Sequence, residues 1–149
     1  MQEDHLHRTP VVIVDGSNAA AGGGCLRPRL VRVTETAAAV AVKFPNARVV
    51  VVVDANLRHA LPPDDAAELA ERCRAGEIVT APARTVGQGD TVVIHLAATL
   101  DATIVTNDCF ADFLEEWPFL TERGRVLGIV AIEGLPVVLV PRQLGFSNG

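Results

Sequence analysis

Six largely apolar segments divide the chain, and three of them contain no polar residue. Valine-rich runs of this kind are typical of parallel strands that are covered on both faces of a sheet. Between them, apolar residues recur with helical spacing, as in Leu30, Val33, Ala37 and Val40. This alternation predicts βαβ units around a parallel sheet. The predicted strands are residues 11–14, 48–53, 77–80, 102–106, 126–132 and 137–140, the last two forming a hairpin.

Glycine, proline and acidic residues predict where the helices begin and end. Asp64 or Asp65 is the predicted N-cap of the second helix, and Asp90 opens the third after a glycine-rich loop. The predicted helices are residues 29–43, 64–75, 90–100 and 109–116. Without a repeat or a linker, we expect a single domain over residues 1–149, with flexible ends at 1–9 and 142–149.

Composition narrows the class of protein. The hydrophobic fraction is 49%, which is enough for a sizeable core in 149 residues. No apolar stretch approaches the roughly 18 residues of a membrane helix, and the N-terminus is charged, so we expect a soluble, cytoplasmic protein. The net charge of −5 disfavours a broad nucleic-acid interface, although nearly all the basic residues are arginines. The three cysteines fit neither a disulfide framework nor a zinc site, which predicts reduced thiols.

Acidic residues follow the predicted strands at the point where each strand ends. Asp15 and Asp54 come directly after the first two strands, and Asp108 follows the fourth; Asp90 comes after the glycine-rich loop. Ligands of open α/β sheets bind outside the carboxyl ends of the strands. Carboxylates gathered there call for a divalent cation with oxygen ligands, most naturally Mg²⁺ or Mn²⁺. The pattern therefore predicts a metal-dependent site, and its neighbours favour phosphodiester hydrolysis.

The residues around these acids carry further expectations. Gly16 lets the chain turn sharply after Asp15, so that Ser17 and Asn18 can hold its carboxylate or reach a phosphate. Asp112 lies four residues after Asp108, on the same predicted helical face. The role of Asp54 stays open between the pocket and a loop contact. Candidates for flanking phosphates are Arg27, Arg29 and Arg58.

Three strings together resemble one family. Val-Asp-Gly-Ser-Asn-Ala at 14–19, Gly-Asp at 89–90 and Ile-Val-Thr-Asn-Asp-Cys-Phe-Ala-Asp at 104–112 resemble the PIN-like NYN ribonucleases, especially the Regnase (Zc3h12-type) branch. The resemblance implies a Rossmann-like three-layer α/β/α sandwich with a mainly parallel sheet. It also implies endoribonuclease activity that depends on Mg²⁺ or Mn²⁺.

The resemblance assigns roles residue by residue. Asp15, Asp90 and Asp108 match the family's metal-binding acids, while Asn18 and Asp112 match further catalytic positions. We therefore expect cleavage of single-stranded or looped RNA, whose backbone is accessible. A homodimer or a protein partner stays open as a source of additional RNA contacts, because basic residues are few.

Two other functions stay open on this fold. Fold alone does not fix function, so a non-catalytic RNA- or protein-binding module is one alternative. The acidic net charge and the pair Asp90-Thr91, where the family often has two acids, motivate it. A nuclease directed at DNA is the other alternative. A phosphatase or receiver domain is disfavoured, because no second acid lies two residues after Asp15.

Overall fold

The computed structural model describes residues 9–24, 26–82 and 88–145. They form one six-stranded sheet in the order β3-β2-β1-β4-β5-β6. Strands β1 to β5 pair in parallel, and β6 runs antiparallel to β5. The strands are β1 (Val11–Asp15), β2 (Arg48–Asp54), β3 (Ile78–Ala81), β4 (Thr103–Val105), β5 (Val126–Val130) and β6 (Val138–Arg142).

Helices cover both faces of this sheet. They are α1 (Gly16–Ala20), α2 (Leu30–Lys43), α3 (Leu57–Ala60), α4 (Pro63–Arg74) and α5 (Gln88–Leu100), with a 3₁₀ turn at Pro118–Thr121. Side chains of α1 to α4 pack on Val12, Val14, Val51 and Val53. Side chains of α5 pack on the opposite face with Ile13, Val52 and Ile104. Successive apolar side chains of β1 and β2 therefore point alternately into the two cores.

The predicted fold class is confirmed: the domain is a Rossmann-like α/β/α sandwich with a mainly parallel sheet. Within the described ranges, no helix is long and apolar enough to cross a membrane. Apolar area removed from water on both faces of the central strands drives this arrangement.

Three local predictions were wrong. Residues 111–116 form turns rather than a helix, because Phe110 adopts a positive φ of 50° while its ring is buried in the core. Helix α4 begins at Pro63 with Pro62 as N-cap, and no side chain caps it. The chain end was predicted to be flexible from residue 142, yet β6 includes Arg142, and Leu144 is buried. Of the predicted flexible ends, residues 1–8 and 146–149 lie outside the described part of the chain.

Candidate active site

The carboxyl edge of the sheet brings the strand-end acids together. Asp15 ends β1 and Asp54 ends β2, and these two strands pair in parallel with Asp15 opposite Val52. On the other side of β1, Val14 pairs with Val105, so the segment after β4 emerges beside Asp15. The first turn of α5 contributes Asp90. The carboxylate cluster is the set Asp15, Asp54, Asp90 and Asp108.

Asp15 is the buried member, with 8% of its surface exposed. The Thr106 hydroxyl donates to its Oδ2 at 2.8 Å. Asp15 is also the N-cap of α1, because its Oδ1 accepts from the Asn18 backbone N–H at 3.3 Å. Burial raises the pKa of Asp15 to about 6, and the charges of Asp108 and Asp54 add to the rise, while the two hydrogen bonds oppose it. The carboxylate is therefore fixed in position but costly to ionise without a cation.

Asp90 is only partly buried, yet its pKa is raised to about 7. Desolvation is the largest cause, followed by the charges of Asp108 and Asp15, a side-chain hydrogen bond with Asp108, and the charge of Asp54. A hydrogen bond between two carboxyl groups requires a proton on one of them. Without a cation, Asp90 therefore holds a proton up to about neutral pH.

The segment that carries Asp108 is held by its own polar groups. The Asp108 backbone N–H donates to the Thr106 hydroxyl at 3.0 Å, and the Phe110 N–H donates to Asp108 Oδ1 at 2.9 Å. Asp108 thus closes a local turn instead of capping the helix predicted there. Thr106 connects this turn to Asp15, because its hydroxyl donates to one residue and accepts from the other.

Two polar residues after β1 connect neighbouring strands. The Asp54 backbone N–H donates to Ser17 Oγ at 2.8 Å, which joins α1 to the end of β2. The Asn107 backbone N–H donates to Asn18 Oδ1 at 2.9 Å, which joins α1 to the segment after β4. Both side chains therefore hold the backbone around the cluster in place.

Comparison with known proteins identifies the family. The family model described as "Zc3h12a-like Ribonuclease NYN domain" matches residues 8–129. The chain belongs to this family. The family predicted from the sequence motifs is thus confirmed, and the three strings that pointed to it all lie inside the match.

Solved structures agree with this NYN domain in fold. Two structures of nuclear protein-only RNase P 2 (PRORP2) from Arabidopsis thaliana match with TM-scores of 0.62 and 0.63 at 16% and 17% identity. They cover 97% and 95% of the chain, whereas the chain spans 32% of each of theirs, about a third. At this identity the likeness shows the fold. None of the curated protein sequences is significantly similar to the chain.

Asn107 and Arg142 are two residues whose positions at the site were not predicted. Asn107 pairs with Ile129 at the end of β5: its Nδ2 donates to the Ile129 carbonyl at 2.7 Å, and the Ile129 N–H donates to its Oδ1 at 2.6 Å. Arg142 Nη1 donates to the carbonyls of Thr106 and Asp108 at 2.9 and 2.7 Å. A Cβ at Gly128 would lie 2.9 Å from Arg142 Cδ, so a glycine within β5 was the available signal for Arg142.

Four residues predicted to belong to the site are not members of the carboxylate cluster. Asp112 is exposed in the turns of 111–116, so the predicted helical pairing with Asp108 is absent. Arg29 Nε is 2.8 Å from Asp65 Oδ2, which also accepts from the Leu30 N–H. Arg27 is exposed, and its carbonyl accepts from Arg32. Arg58 is exposed on α3, close after Asp54.

The donor set fits a hydrated hard cation. Within the described part of the NYN domain, no three His, Cys, Asp or Glu side chains are arranged to hold a metal ion jointly. Mg²⁺ keeps several waters and needs only one or two direct carboxylates. The raised pKa values of Asp15 and Asp90 both include repulsion from Asp108 and Asp54, which a divalent cation would relieve.

Proposed function

We propose that this domain is a metal-dependent endoribonuclease that hydrolyses phosphodiester bonds of single-stranded or looped RNA. The observation that carries the proposal is the carboxylate cluster at the carboxyl edge of the sheet, in a chain of a ribonuclease family. The charges of Asp54 and Asp108 help to raise the pKa of both Asp15 and Asp90. This repulsion costs free energy, so the cluster has no evident use in stability. The four carboxylates are suited to a site that binds cations.

Asp15, Asp90 and Asp108 would hold Mg²⁺ or Mn²⁺, directly or through water. A divalent cation in such a site polarises the phosphate and lowers the pKa of a bound water. Thr106 and the Asn18 N–H keep the Asp15 carboxylate in one orientation. Because metal ligands must be deprotonated, Asp90 would have to lose its proton for the pair Asp90 and Asp108 to hold the cation.

RNA is the proposed substrate, on the strength of the family. A single strand suits the site because the cluster lies at an open sheet edge, where a flexible backbone can approach. Ser17 and Asn18 would position the phosphate beside the cluster. Arg58 is exposed near Asp54 and is suited to a flanking phosphate. The same proposal includes a homodimer or a protein partner as a source of further RNA contacts.

The first test is cleavage of a fluorescent single-stranded RNA with Mg²⁺ or Mn²⁺, beside an EDTA control and the Asp15→Asn protein. We expect cleavage by the wild type with either metal, and a loss of about a hundredfold or more in Asp15→Asn. Circular dichroism checks that the variant keeps its fold. Asp64→Asn is the matched control, because Asp64 is an exposed acid in the first turn of α4.

Two results would contradict the proposal. One is cleavage at the wild-type rate by Asp15→Asn, which would point to a contaminating nuclease. The other is no cleavage by a folded, metal-supplied wild type that still binds RNA, which would favour a binding module. A matched DNA oligonucleotide in the same assay separates a ribonuclease from a DNA-directed enzyme.

A further inference from the structure

A cavity of about 310 Å³ opens beside the carboxylate cluster. It lies between α3, α4 and the ends of β2 and β3, and Asp54 borders both the cavity and the cluster. We call it the flanking pocket. Its wall includes Asp54, Arg58, Leu69, Ala70, Cys73 and Thr80.

The walls of the flanking pocket combine apolar and polar groups. Leu69 is buried and Ala70 lies beside it on α4, which gives an apolar wall. Cys73 Sγ and Thr80 Oγ1 lie 3.2 Å apart and form a polar edge. Arg58 is exposed and supplies a cation on a third side. Small-ligand sites commonly have this size and this mixture of an apolar lining with few polar groups.

We propose that the flanking pocket binds the base of the nucleotide next to the scissile phosphate. A nucleobase has two apolar faces and a polar edge, and the guanidinium of Arg58 can stack on a face or meet the adjoining phosphate. Because Asp54 belongs to both the flanking pocket and the carboxylate cluster, a base in the pocket would lie beside the cluster. This inference rests on the proposed nuclease function, because only a nuclease has a scissile phosphate. If the pocket binds the neighbouring base, it helps to determine where the RNA is cleaved.

Cys73 is a built-in reporter of occupancy, because it is partly exposed in the pocket wall. The test uses the full chain with Cys25→Ser and Cys109→Ser, so that Cys73 is the remaining thiol, and Asp15→Asn, so that RNA stays intact. The probe is a single-stranded RNA pentamer, and its binding is followed independently by fluorescence anisotropy. With RNA at ten times its Kd, we expect thiol modification of Cys73 to slow about tenfold, because only about a tenth of the protein is then free.

A filled pocket gives the second readout. Ala70→Leu adds bulk to the pocket wall, and Ala67→Leu adds the same bulk at an exposed position of the same helix. In the active protein, we expect Ala70→Leu to lower kcat/KM about tenfold, since stacking of one base commonly contributes that much or more. Ala67→Leu should match the wild type. An abasic residue beside the cleaved bond should slow the wild type by a similar factor and leave Ala70→Leu unaffected.

The outcomes separate the two proposals. Cleavage with an unchanged rate of Cys73 modification in the RNA complex overturns the base pocket and leaves the nuclease proposal intact. Protection of Cys73 without any cleavage by the wild type supports the pocket and contradicts the nuclease. Equal effects of Ala70→Leu and Ala67→Leu overturn the pocket, because they would show a general response of α4.

Discussion

At the residue scale, the pair Asp90 and Asp108 gives the most direct test of the site's electrostatics. Their side chains share a hydrogen bond that needs a proton, and the pKa of Asp90 is raised to about 7. Asp90→Asn supplies a permanent donor in its place. At pH 8 in EDTA, we expect this variant to raise the free energy of unfolding by about 1 kcal/mol, a figure kept small because Asp90 is partly exposed.

The sign of the pH dependence follows from the raised pKa. Asp90 binds a proton more tightly in the folded state, so its contribution to stability is full below about pH 4 and is lost as the pH rises through about 7. Asp15, raised to about 6, acts in the same direction. Urea unfolding at pH 4 and pH 8 should therefore show the gain of Asp90→Asn only at pH 8. A variant less stable than the wild type at pH 8 would contradict the shared proton.

The positions of site residues could be predicted from the sequence where the direction of a strand determines them. Asp15, Asp54 and Asp108 follow parallel strands, so their common edge could be predicted before the structure was known. The position of Arg142 could not be predicted in this way. Its partners are backbone carbonyls, which every residue has, so the sequence gives no sign of the contact. Asp112 was placed wrongly relative to Asp108, because the left-handed backbone of Phe110 interrupts the helix.

At the element scale, Gly89 lets the first turn of α5 lie close against Asp54. A Cβ at Gly89 would overlap Asp54 Oδ1, so the glycine lets the helix approach the end of β2. Gly89→Ala should displace either Asp54 or the first turn that carries Asp90. We expect weaker Mn²⁺ binding by calorimetry, by about tenfold, even though alanine alone favours a helix by about 1 kcal/mol.

A double variant checks this steric explanation. Asp54→Ser shortens the side chain that the new Cβ would meet, so Gly89→Ala should weaken Mn²⁺ binding less in the Asp54→Ser background than in the wild type. Strictly additive losses would show that Gly89 acts on the site without Asp54. Ala98→Gly, at an exposed position of the same helix, controls for a change in helix stability.

Helix boundaries show why element predictions were only partly right. The uninterrupted valines of β1 and β2 determined those strands locally, because both faces are covered. The N-cap predicted for α4 failed for a tertiary reason. Asp65 directs its carboxylate to Arg29 and to the Leu30 N–H at the start of α2, a contact 35 residues away in sequence.

At the scale of the whole molecule, a net charge of −5 limits how RNA can be held. The acidic cluster repels phosphate until cations are bound, and Arg29, one of the predicted phosphate contacts, is already paired with Asp65. Affinity for RNA should therefore increase with Mg²⁺ and depend only weakly on monovalent salt, since the salt slope for a single strand is about −0.7 per phosphate contact. The change in salt slope on mutation therefore shows whether an individual arginine contacts a phosphate.

Arg58 and Arg29 give the matched comparison, since both are exposed arginines that were predicted to contact phosphates. Arg29 is already paired with Asp65, whereas the Arg58 Nε contact is with its neighbour His59. In the Asp15→Asn background, Arg58→Ala should weaken RNA binding severalfold and reduce the salt slope by about 0.7. Arg29→Ala should leave both unchanged and lower the free energy of unfolding only slightly, because its ion pair with Asp65 is exposed to solvent. Anisotropy over a range of NaCl concentrations measures the slopes, and an equal loss of slope in both variants would show that RNA competes with Asp65 for Arg29.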